Sequence, residues 1–526
     1  MDFGSMRTTI TSRRTRPFDL GFPVFLAFIS ALLLLSVGAR SAVAADKCTR
    51  TEVTTDRFRL LTALSPERAV PIAEALNRFQ SAIEVVMAIK QPTPAVPTNI
   101  YVLTDGDWSF VANGAFYSGF FRELPFRNEI IVQAPPDKAL SPYMLVMNAY
   151  AHYLLSGQRG FLYPLWYRIG LGEILGTAIE DDTSFQLGLI RDDTRAEVTL
   201  APRLLPFDKL LLMDPRLEKG YDYRYEPAFH GESALLVHYL MFGSPARKEQ
   251  LNLYLGALSR GVPSARAFEE SFHTQPAQLE KEVRAYARQK EFSSIRLPRS
   301  ALAPKSVPVA NGVPCSPADT EMAHVLLSMG ANPYDISGRW IGEGDKNEAD
   351  WRLVKAEAAL ARKDKSWEIA NRYFDQALQL PQVSARDELL AAEILFAQVS
   401  SPLRPDRKLT ELERTSVERA SALLRKPEVL KLDDPQVVFM RGVIAVLTNT
   451  DVDAALESLF QALEKRPTNP YLAEVAGILC DRKHDLENAA GAWSIVAAYG
   501  RNPEKRASGA EKLKAIDAAA TARPSR

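Results

Sequence analysis

The positions of this chain whose spacing is typical of a catalytic metal site lie in one short stretch. They are Asn148, Ala149, His152, Ile169 and Glu173. Metal-assisted hydrolysis on a helix needs two histidines four positions apart, because such residues share one face and can bind the same ion. A glutamate beside the first histidine then serves as general base on metal-bound water. In one branch of such enzymes, a second helix supplies a glutamate as the third metal ligand. Positions 148, 149, 152 and 169 have the spacing of such a site.

The residue types at these positions do not support that chemistry. Asn148 stands in place of the first histidine ligand, Ala149 in place of the base and Ile169 in place of the carboxylate ligand. An amide is a poor zinc ligand, and alanine and isoleucine side chains have no donor or acceptor atoms. A catalytic zinc site normally has three protein ligands, so His152 alone does not make one. We therefore predict no catalytic residue, no bound zinc and no other cofactor.

Two other groups of residues are alternative candidates for a metal site. Glu173 lies one helical turn beyond the lost carboxylate ligand and could bind a metal together with His152, which would give a metallopeptidase with a rearranged site. A second group consists of His230, Glu232 and His238. Because His230 and His238 are about two turns apart, one metal ion cannot easily bridge them. We expect His238 to be a packed helix histidine.

The elements around this stretch predict an α+β domain over residues 45–290. The pattern of apolar residues predicts strands over 57–61, 99–103 and 129–132, and helices over 66–90, 142–155, 166–180 and 229–240. Ser141 and Pro142 are typical of a helix start. A small sheet followed by two helices is the order that would position the stretch from 148 to 173.

The remainder of the chain predicts a linker and then helical repeats. Proline recurs through residues 291–315 with little periodicity, which favours a Pro-rich linker. Within 316–526, Asp434-Pro435, Asn469-Pro470 and Asn502-Pro503 lie about 34 residues apart, the period of tetratricopeptide repeats. We therefore expect an all-α tetratricopeptide-like solenoid, with plain antiparallel helices as the alternative.

Residues 1–44 have the features of a signal peptide. Arginines precede an apolar run over about 22–37, and Ala42-Val43-Ala44 offers the small residues at which signal peptidases cut. We expect an exported, periplasmic or secreted protein with no membrane span after cleavage. An uncleaved anchor is the alternative, although the run is slightly short for a span.

Composition narrows the classes of partner and the redox setting. The chain has 526 residues, and its 64 Lys and Arg balance its 64 Asp and Glu, which gives no indication of a nucleic-acid partner. Export would place Cys48, Cys315 and Cys480 in an oxidising compartment. A bond between Cys48 and Cys315 fits the order of the elements, but spacing leaves it open. We expect Cys480 to be a small core residue.

With these residues laid out, the chain resembles the peptidase-MA-like gluzincin family over roughly residues 50–290, with a degenerate H-E-x-x-H motif. The similarity rests on Pro164 and Trp166, Gly170, the segment 233–240 and Ala267-Phe268 with Phe272. It implies metal ligands at positions 148, 152 and 169 and the general base at 149, of which only His152 matches.

The expected function is that of a pseudopeptidase. We predict a non-catalytic binding or scaffolding protein of the bacterial cell envelope, with a zincin-like cleft and the helical repeats as its protein- or peptide-binding surfaces. In a variant of this hypothesis the cleft binds nothing and the repeats alone recruit a partner. The identity of the partner and the oligomeric state are left open.

Overall fold

Strands and helices are described from Thr49 onward in the computed structural model of the protein. It describes residues 49–87, 98–104, 108, 119–134, 144–156, 164–200, 204–211, 226–259, 262, 264–302, 307–328, 333, 348–362, 366–400, 403, 408–500 and 503–521. The predicted signal peptide over 1–44, the apolar run within it, Ser141, Pro142 and Cys48 lie outside these residues. Within them, no helix combines the length and the apolar character needed to cross a bilayer.

The strands form two sheets. They are β1 Thr49–Thr54, β2 Arg59–Thr62, β3 Thr98–Leu103, β4 Gly119–Glu123, β5 Asn128–Gln133, β6 Ile179–Glu180, β7 Ser184–Leu187, β8 Ile295–Pro298 and β9 Val309–Pro314. The larger sheet has the order β4-β5-β3-β2-β1-β9, and the smaller has the order β6-β7-β8. Strands β2, β3 and β5 are parallel, and the other pairs are antiparallel. The larger sheet is therefore mixed.

The helices before β8 surround these sheets. They are α1 Pro66–Val86, α2 Met144–Ser156, α3 Leu165–Gly176, α4 Asp192–Leu200, α5 Phe207–Leu210, α6 Glu226–Phe242, α7 Pro245–Ser259, α8 Ser264–Phe272 and α9 Pro276–Tyr286. The predicted helices over 66–90 and 142–155 correspond to α1 and α2. The helix predicted to run to residue 180 ends instead at Gly176. There the Thr177 hydroxyl donates to the Ile174 carbonyl at 2.7 Å, and the chain then enters β6.

Strand alternation gives the larger sheet two apolar faces. Leu60, Ile100 and Ile130 lie in the core that also holds α1, α2, α3 and α6. Their neighbours Leu61, Tyr101 and Ile131 lie in a second core on the opposite face. Because side chains alternate along a strand, two covered faces require an apolar residue at nearly every position.

The prediction of a linker over 291–315 is wrong. Strand β8 pairs with β7, and β9 pairs with β1 along its whole length, from Thr54↔Val309 to Thr49↔Pro314. Among the described residues of this segment, Pro298 and Pro314 end these strands and Pro308 directly precedes β9. Proline is tolerated there because β8 and β9 are edge strands, with one side free of ladder hydrogen bonds.

The chain after β9 is helical. Its helices are α10 Cys315–Ser328, α11 Ala349–Ala361, α12 Trp367–Leu378, α13 Ala385–Phe396, α14 Glu411–Leu424, α15 Pro427–Leu430, α16 Pro435–Thr448, α17 Val452–Lys465, α18 Pro470–Lys483, α19 Leu486–Tyr499 and α20 Pro503–Thr521. Helices α10 and α11 cover the second face of the larger sheet through residues such as Met322 and Val354. An N-terminal region with a mixed sheet is thus followed by many helices, as predicted at that level.

The cysteines differ in state. Cys315 is disulfide-bonded, whereas Cys480 is free and buried, and burial raises the pKa of its thiol to about 11. Cys48 lies outside the described residues, but the chain has only three cysteines. The register that pairs Thr49 with Pro314 brings the chain positions next to 48 and 315 together. Both observations favour the Cys48–Cys315 bond.

Candidate functional site

Three helices meet at the carboxylate of Glu173. The Asn148 side-chain amide on α2 donates to Glu173 Oε2 at 3.1 Å, and His230 Nδ1 on α6 lies 2.9 Å from Glu173 Oε1. Both carboxylate oxygens of this α3 residue therefore have a polar partner. The side chains of Glu173 and His230 are 21% and 24% exposed, so the pair is accessible to solvent.

Two glycines of α3 allow this close approach. A Cβ on Gly176 would lie 2.5 Å from Asn148 Cα, and a Cβ on Gly170 would lie 2.2 Å from the Ser233 carbonyl oxygen on α6. Such contacts are too short for any side chain, so α3 can lie between α2 and α6 only because these positions have no Cβ. The glycines bring Asn148 and His230 within reach of Glu173.

Two of the other predicted site positions, 149 and 169, have side chains without donor atoms. Ala149 is buried, and its methyl group lies 3.0 Å from where a Cβ on Gly119 of β4 would be. Ile169 is partly buried and packs against the main core. His152 belongs to α2, but its side chain lies outside the described part of the structure. The described site therefore holds one carboxylate, one imidazole and one amide.

Without the side chain of His152, the described residues offer one carboxylate and one imidazole, fewer than the three protein ligands of a catalytic zinc site. The carboxylate that could ligate a metal is engaged by Asn148 and His230, and position 149 holds a methyl group where a base is required. Among the described residues, no group of three or more His, Cys, Asp or Glu side chains is arranged to hold a metal. We derive no hydrolytic step from this geometry.

The second predicted group does not converge either. The carboxylate of Glu232 accepts a hydrogen bond from the Leu205 amide at 3.0 Å, and burial raises its pKa to about 7. His238 Nδ1 lies 2.9 Å from the Tyr286 hydroxyl, and its Nε2 lies 3.0 Å from the Gly188 carbonyl. A carbonyl only accepts, so Nε2 donates there and Nδ1 accepts from the tyrosine. Burial lowers the pKa of His238 to about 4, as suits a packed, neutral histidine.

The pairing of Glu173 with His230 was not predicted from the sequence. The sequence groups His230 with Glu232 and His238, its neighbours on α6, whereas its partner lies 57 positions away on α3. Small residues at the contact, Gly170 and Ser233, were the available signal, since they are typical of helices that pack closely.

The geometry offers binding chemistry. A partly exposed carboxylate and imidazole can donate and accept hydrogen bonds, and β4 borders the same region through its contact with Ala149. In comparisons with known proteins, the chain matched no family model, no curated protein and no solved structure. The gluzincin resemblance therefore stays a prediction.

Proposed function

We propose that this protein is an exported, non-catalytic binding or scaffolding protein with a zincin-like cleft and tetratricopeptide-like repeats. The observation that carries the proposal is that two of the three expected ligand positions offer no metal donor. Ile169 packs against the core, and the Asn148 amide hydrogen-bonds the carboxylate of Glu173, which His230 also contacts. These hydrogen bonds can connect the three helices without an ion. Ala149 leaves the position of the base without a proton acceptor.

The helical half of the proposal is supported by the repeat spacing. Pro435, Pro470 and Pro503 each begin a helix, and their separation of about 34 residues is the tetratricopeptide period. Asp434 and Asn469 cap two of these helices by accepting backbone hydrogen bonds. A stack of such helix pairs offers an extended inner face for a protein or peptide partner.

Export is supported by the disulfide. A bonded Cys315 is stable in an oxidising compartment, such as a periplasm or the cell exterior, and is rare in a reducing cytosol. The N-terminal segment 1–44 supplies the features of a signal peptide.

Metal analysis tests the non-catalytic proposal. We expect the purified wild-type protein to contain no stoichiometric zinc and to hydrolyse no peptide. The variant Asn148→His, Ala149→Glu, Ile169→Glu should gain zinc, because it restores two histidines and a carboxylate ligand. The variant Asn148→His, Ile169→Glu keeps the small residue against β4 and serves as a second test. If both variants fold but bind no zinc, the zincin-like assignment is wrong.

One observation favours the alternative, a metallopeptidase with a rearranged site. His230 lies 2.9 Å from Glu173, so a metal bound by His152 and Glu173 would have a further imidazole within reach. Stoichiometric zinc in the wild-type protein that is lost in His152→Ala and in His230→Ala would establish this alternative. It would also overturn the non-catalytic proposal.

Binding by the cleft has its own test. Random peptides selected on the wild-type protein should include some whose binding is lost in Glu173→Ala and in His230→Ala. The matched control is Glu270→Ala, which removes an exposed helix carboxylate paired with Arg266. If no selected peptide depends on Glu173 or His230, the cleft is not the binding surface, and the helical repeats alone would recruit partners.

A further inference from the structure

The turn between β4 and β5 contacts the helices α11 to α20, which together form the helical array. This turn, defined as residues 124–127 with the sequence Leu-Pro-Phe-Arg, places Phe126 among residues of the array core at 9% exposure. The ring centroid of Phe126 lies 6.1 Å from that of Phe439 on α16. Leu124 packs against the same core. A segment of the N-terminal sheet thus contributes its apolar side chains to the core of the helices.

The guanidinium of Arg127 contacts a carboxylate and a side-chain amide of the array. Its guanidinium lies 2.8 Å from Glu393 Oε1 on α13 and donates to Gln436 Oε1 on α16 at 3.1 Å. Gln436 in turn donates to Glu393 Oε2 at 2.5 Å. Arg127 also lies over the ring of Phe126, 4.8 Å from its centroid. The array therefore contacts the ring of Phe126 and the stacked guanidinium of Arg127 together.

A third helix binds the backbone of the turn. The Asn469 side-chain amide donates to the Pro125 carbonyl at 3.3 Å, while its oxygen accepts from the Tyr471 amide at 3.0 Å as the N-cap of α18. Helices α13, α16 and α18 are the first helices of successive pairs, and α16 packs beside α18. The turn therefore lies along one face of the array, on the layer formed by first helices.

The pocket around Arg127 is suited to a buried cation. Burial alone would raise the pKa of the Glu393 carboxyl, but Arg127 and His324 hold it well below its usual range. His324 Nδ1 lies 2.8 Å from Glu357, and although burial lowers its pKa, Glu357 and Glu393 raise it to about 10. A planar guanidinium can contact Glu393 and Gln436 together, which a lysine ammonium cannot do with the same geometry.

The turn is not of a type that holds itself together. Two-residue hairpin loops favour turns with positive φ, usually supplied by Asn-Gly or Gly. Here the central residues are Pro125 and Phe126, and neither adopts a positive φ. The Leu124 amide donates to the Arg127 carbonyl at 2.8 Å, and the Arg127 side chain pairs with Glu129 of β5 at 2.6 Å. Contacts with the array therefore stabilise a turn whose own sequence favours it weakly.

We propose that one face of the helical array, formed by the first helices of its pairs, is a recognition site for an aromatic-arginine turn. Glu393, Gln436, Phe439 and Asn469 line this site, and residues 124–127 occupy it as an internal ligand. A partner that uses this face presents an aromatic residue followed by arginine and displaces the turn. The inference rests on the binding role proposed above and names the chemistry of the partner.

Displacement would also affect the candidate cleft. Strand β4 leads into the turn and is an edge strand of the larger sheet, paired with β5 on one side. It lies against α2 at the contact between Gly119 and Ala149. Release of residues 124–127 would loosen β4 and change the border of the cleft.

A peptide-binding experiment with the full chain tests the recognition site. The probe is a fluorescein-labelled cyclic peptide with the sequence of residues 122–129, and the variant is Phe126→Ser, Arg127→Ser, which vacates the site. We expect the variant to bind the probe at least about tenfold more tightly than the wild type does, because buried aromatic and arginine contacts dominate such interfaces. A probe with alanine in place of its phenylalanine and second arginine is the control. Equal binding to both proteins, or equal binding of both probes, would overturn the proposal.

Hydrogen exchange is a second measurement, made on variants in which the sequence of the turn is unchanged. Phe439→Ala removes the aromatic partner of Phe126, and Phe460→Ala is the matched control, since Phe460 packs in the same core from α17. We expect amide exchange over 119–123 to be at least about tenfold faster in Phe439→Ala than in Phe460→Ala, because local opening follows the loss of tertiary contacts. Equal exchange in the two variants would contradict the role of the array in holding the turn. If the variant Phe126→Ser, Arg127→Ser does not fold, hydrogen exchange still tests whether the array holds the turn.

The two proposals fail in different ways. Zinc in the wild-type protein would overturn the non-catalytic function and leave peptide recognition by the array unaffected. Lack of probe binding by a folded, vacated variant would remove the recognition site and leave the cleft as the proposed binding surface.

Discussion

Two buried titratable residues of α6 have pKa values displaced in opposite senses. Burial raises the pKa of Glu232 to about 7 and lowers that of His238 to about 4. Both shifts favour the neutral form in the folded protein. The His238 contribution to stability is present above its unfolded pKa and is lost as the pH falls toward 4. The Glu232 contribution has the opposite sign, being greatest at low pH and lost as the pH rises from about 4.5 to 7.

We predict that Glu232→Gln gains stability over the wild type as the pH rises from 4.5 to 8. The variant removes the cost of a buried charge and keeps an oxygen that can accept from the Leu205 amide. The difference in unfolding free energy between variant and wild type should shift by about 2–3 kcal/mol across this range, as follows from the pKa displacement. Denaturant unfolding at the two pH values measures it, and His238 contributes equally to both proteins.

The control for this prediction is Glu270→Gln, at an exposed position of α8. Its difference from the wild type should change by less than about 0.5 kcal/mol over the same range, because exposed ion pairs contribute little. A Glu232→Gln difference that does not vary with pH would show that the carboxyl of Glu232 is not appreciably shifted.

At the scale of elements, the local sequence of α3 predicts that it is a helix, and its glycines decide which helices it packs against. Its apolar periodicity predicted a helix, and Leu165–Gly176 is helical. The positions of Gly170 and Gly176 decide which helices it contacts, since each leaves room for the backbone of a neighbour. The site at Glu173 therefore depends on residues that have no side chain.

We predict that Gly170→Ala destabilises the protein by about 2–4 kcal/mol, because a Cβ 2.2 Å from the Ser233 carbonyl forces α3 and α6 apart. The imidazole resonances of His230 should shift at the same time, since its contact with Glu173 spans this interface. Thermal unfolding and NMR of labelled histidine measure the two effects.

The matched control is Gly491→Ala in the middle of α19, where an added Cβ would meet no atom within 4 Å. This variant should be stabilised by about 0.5–1 kcal/mol through helix propensity alone. Equal destabilisation of the two variants would argue against a close α3–α6 contact.

The sequence patterns did not predict strand β4 or the turn that follows it. Strand β4 is short, Gly119–Glu123, and contains a glycine and two charged residues, which do not form an alternating apolar pattern. The following turn, residues 124–127, lacks the usual hairpin signature. Both are stabilised by partners distant in the chain, β5 for the strand and the array for the turn, and local patterns do not report such partners.

At the scale of the whole molecule, the larger sheet joins the two predicted domains. Strand β9 and helices α10 and α11 follow residue 290, yet they complete the sheet and cover its second face. Ion pairs cross the same boundary, such as Arg50–Asp319 at 2.8 Å and Arg59–Glu321 at 2.6 Å. From Thr49 to Arg526 the chain clusters as one unit.

We predict that a chain covering residues 45–290 does not fold cooperatively. It lacks β9, and Leu61, Tyr101 and Ile131 would expose an apolar face to water. Size-exclusion chromatography and thermal unfolding should show association and no sharp transition. A chain covering 45–526 is the control, and a monomeric 45–290 fragment with a cooperative transition would contradict the shared sheet.

The sequence by itself determined the local features: where α1, α2, α3 and α6 lie, the helical character of the chain after residue 315, and the lack of a base at position 149. It did so because apolar periodicity is a local property and because donor atoms are fixed by residue type. Only the tertiary structure decided that Glu173 pairs with His230, that β9 joins β1, and that residues 124–127 lie on the array. These contacts join residues far apart in the chain, and they form because apolar faces and buried charges need partners that no local pattern specifies.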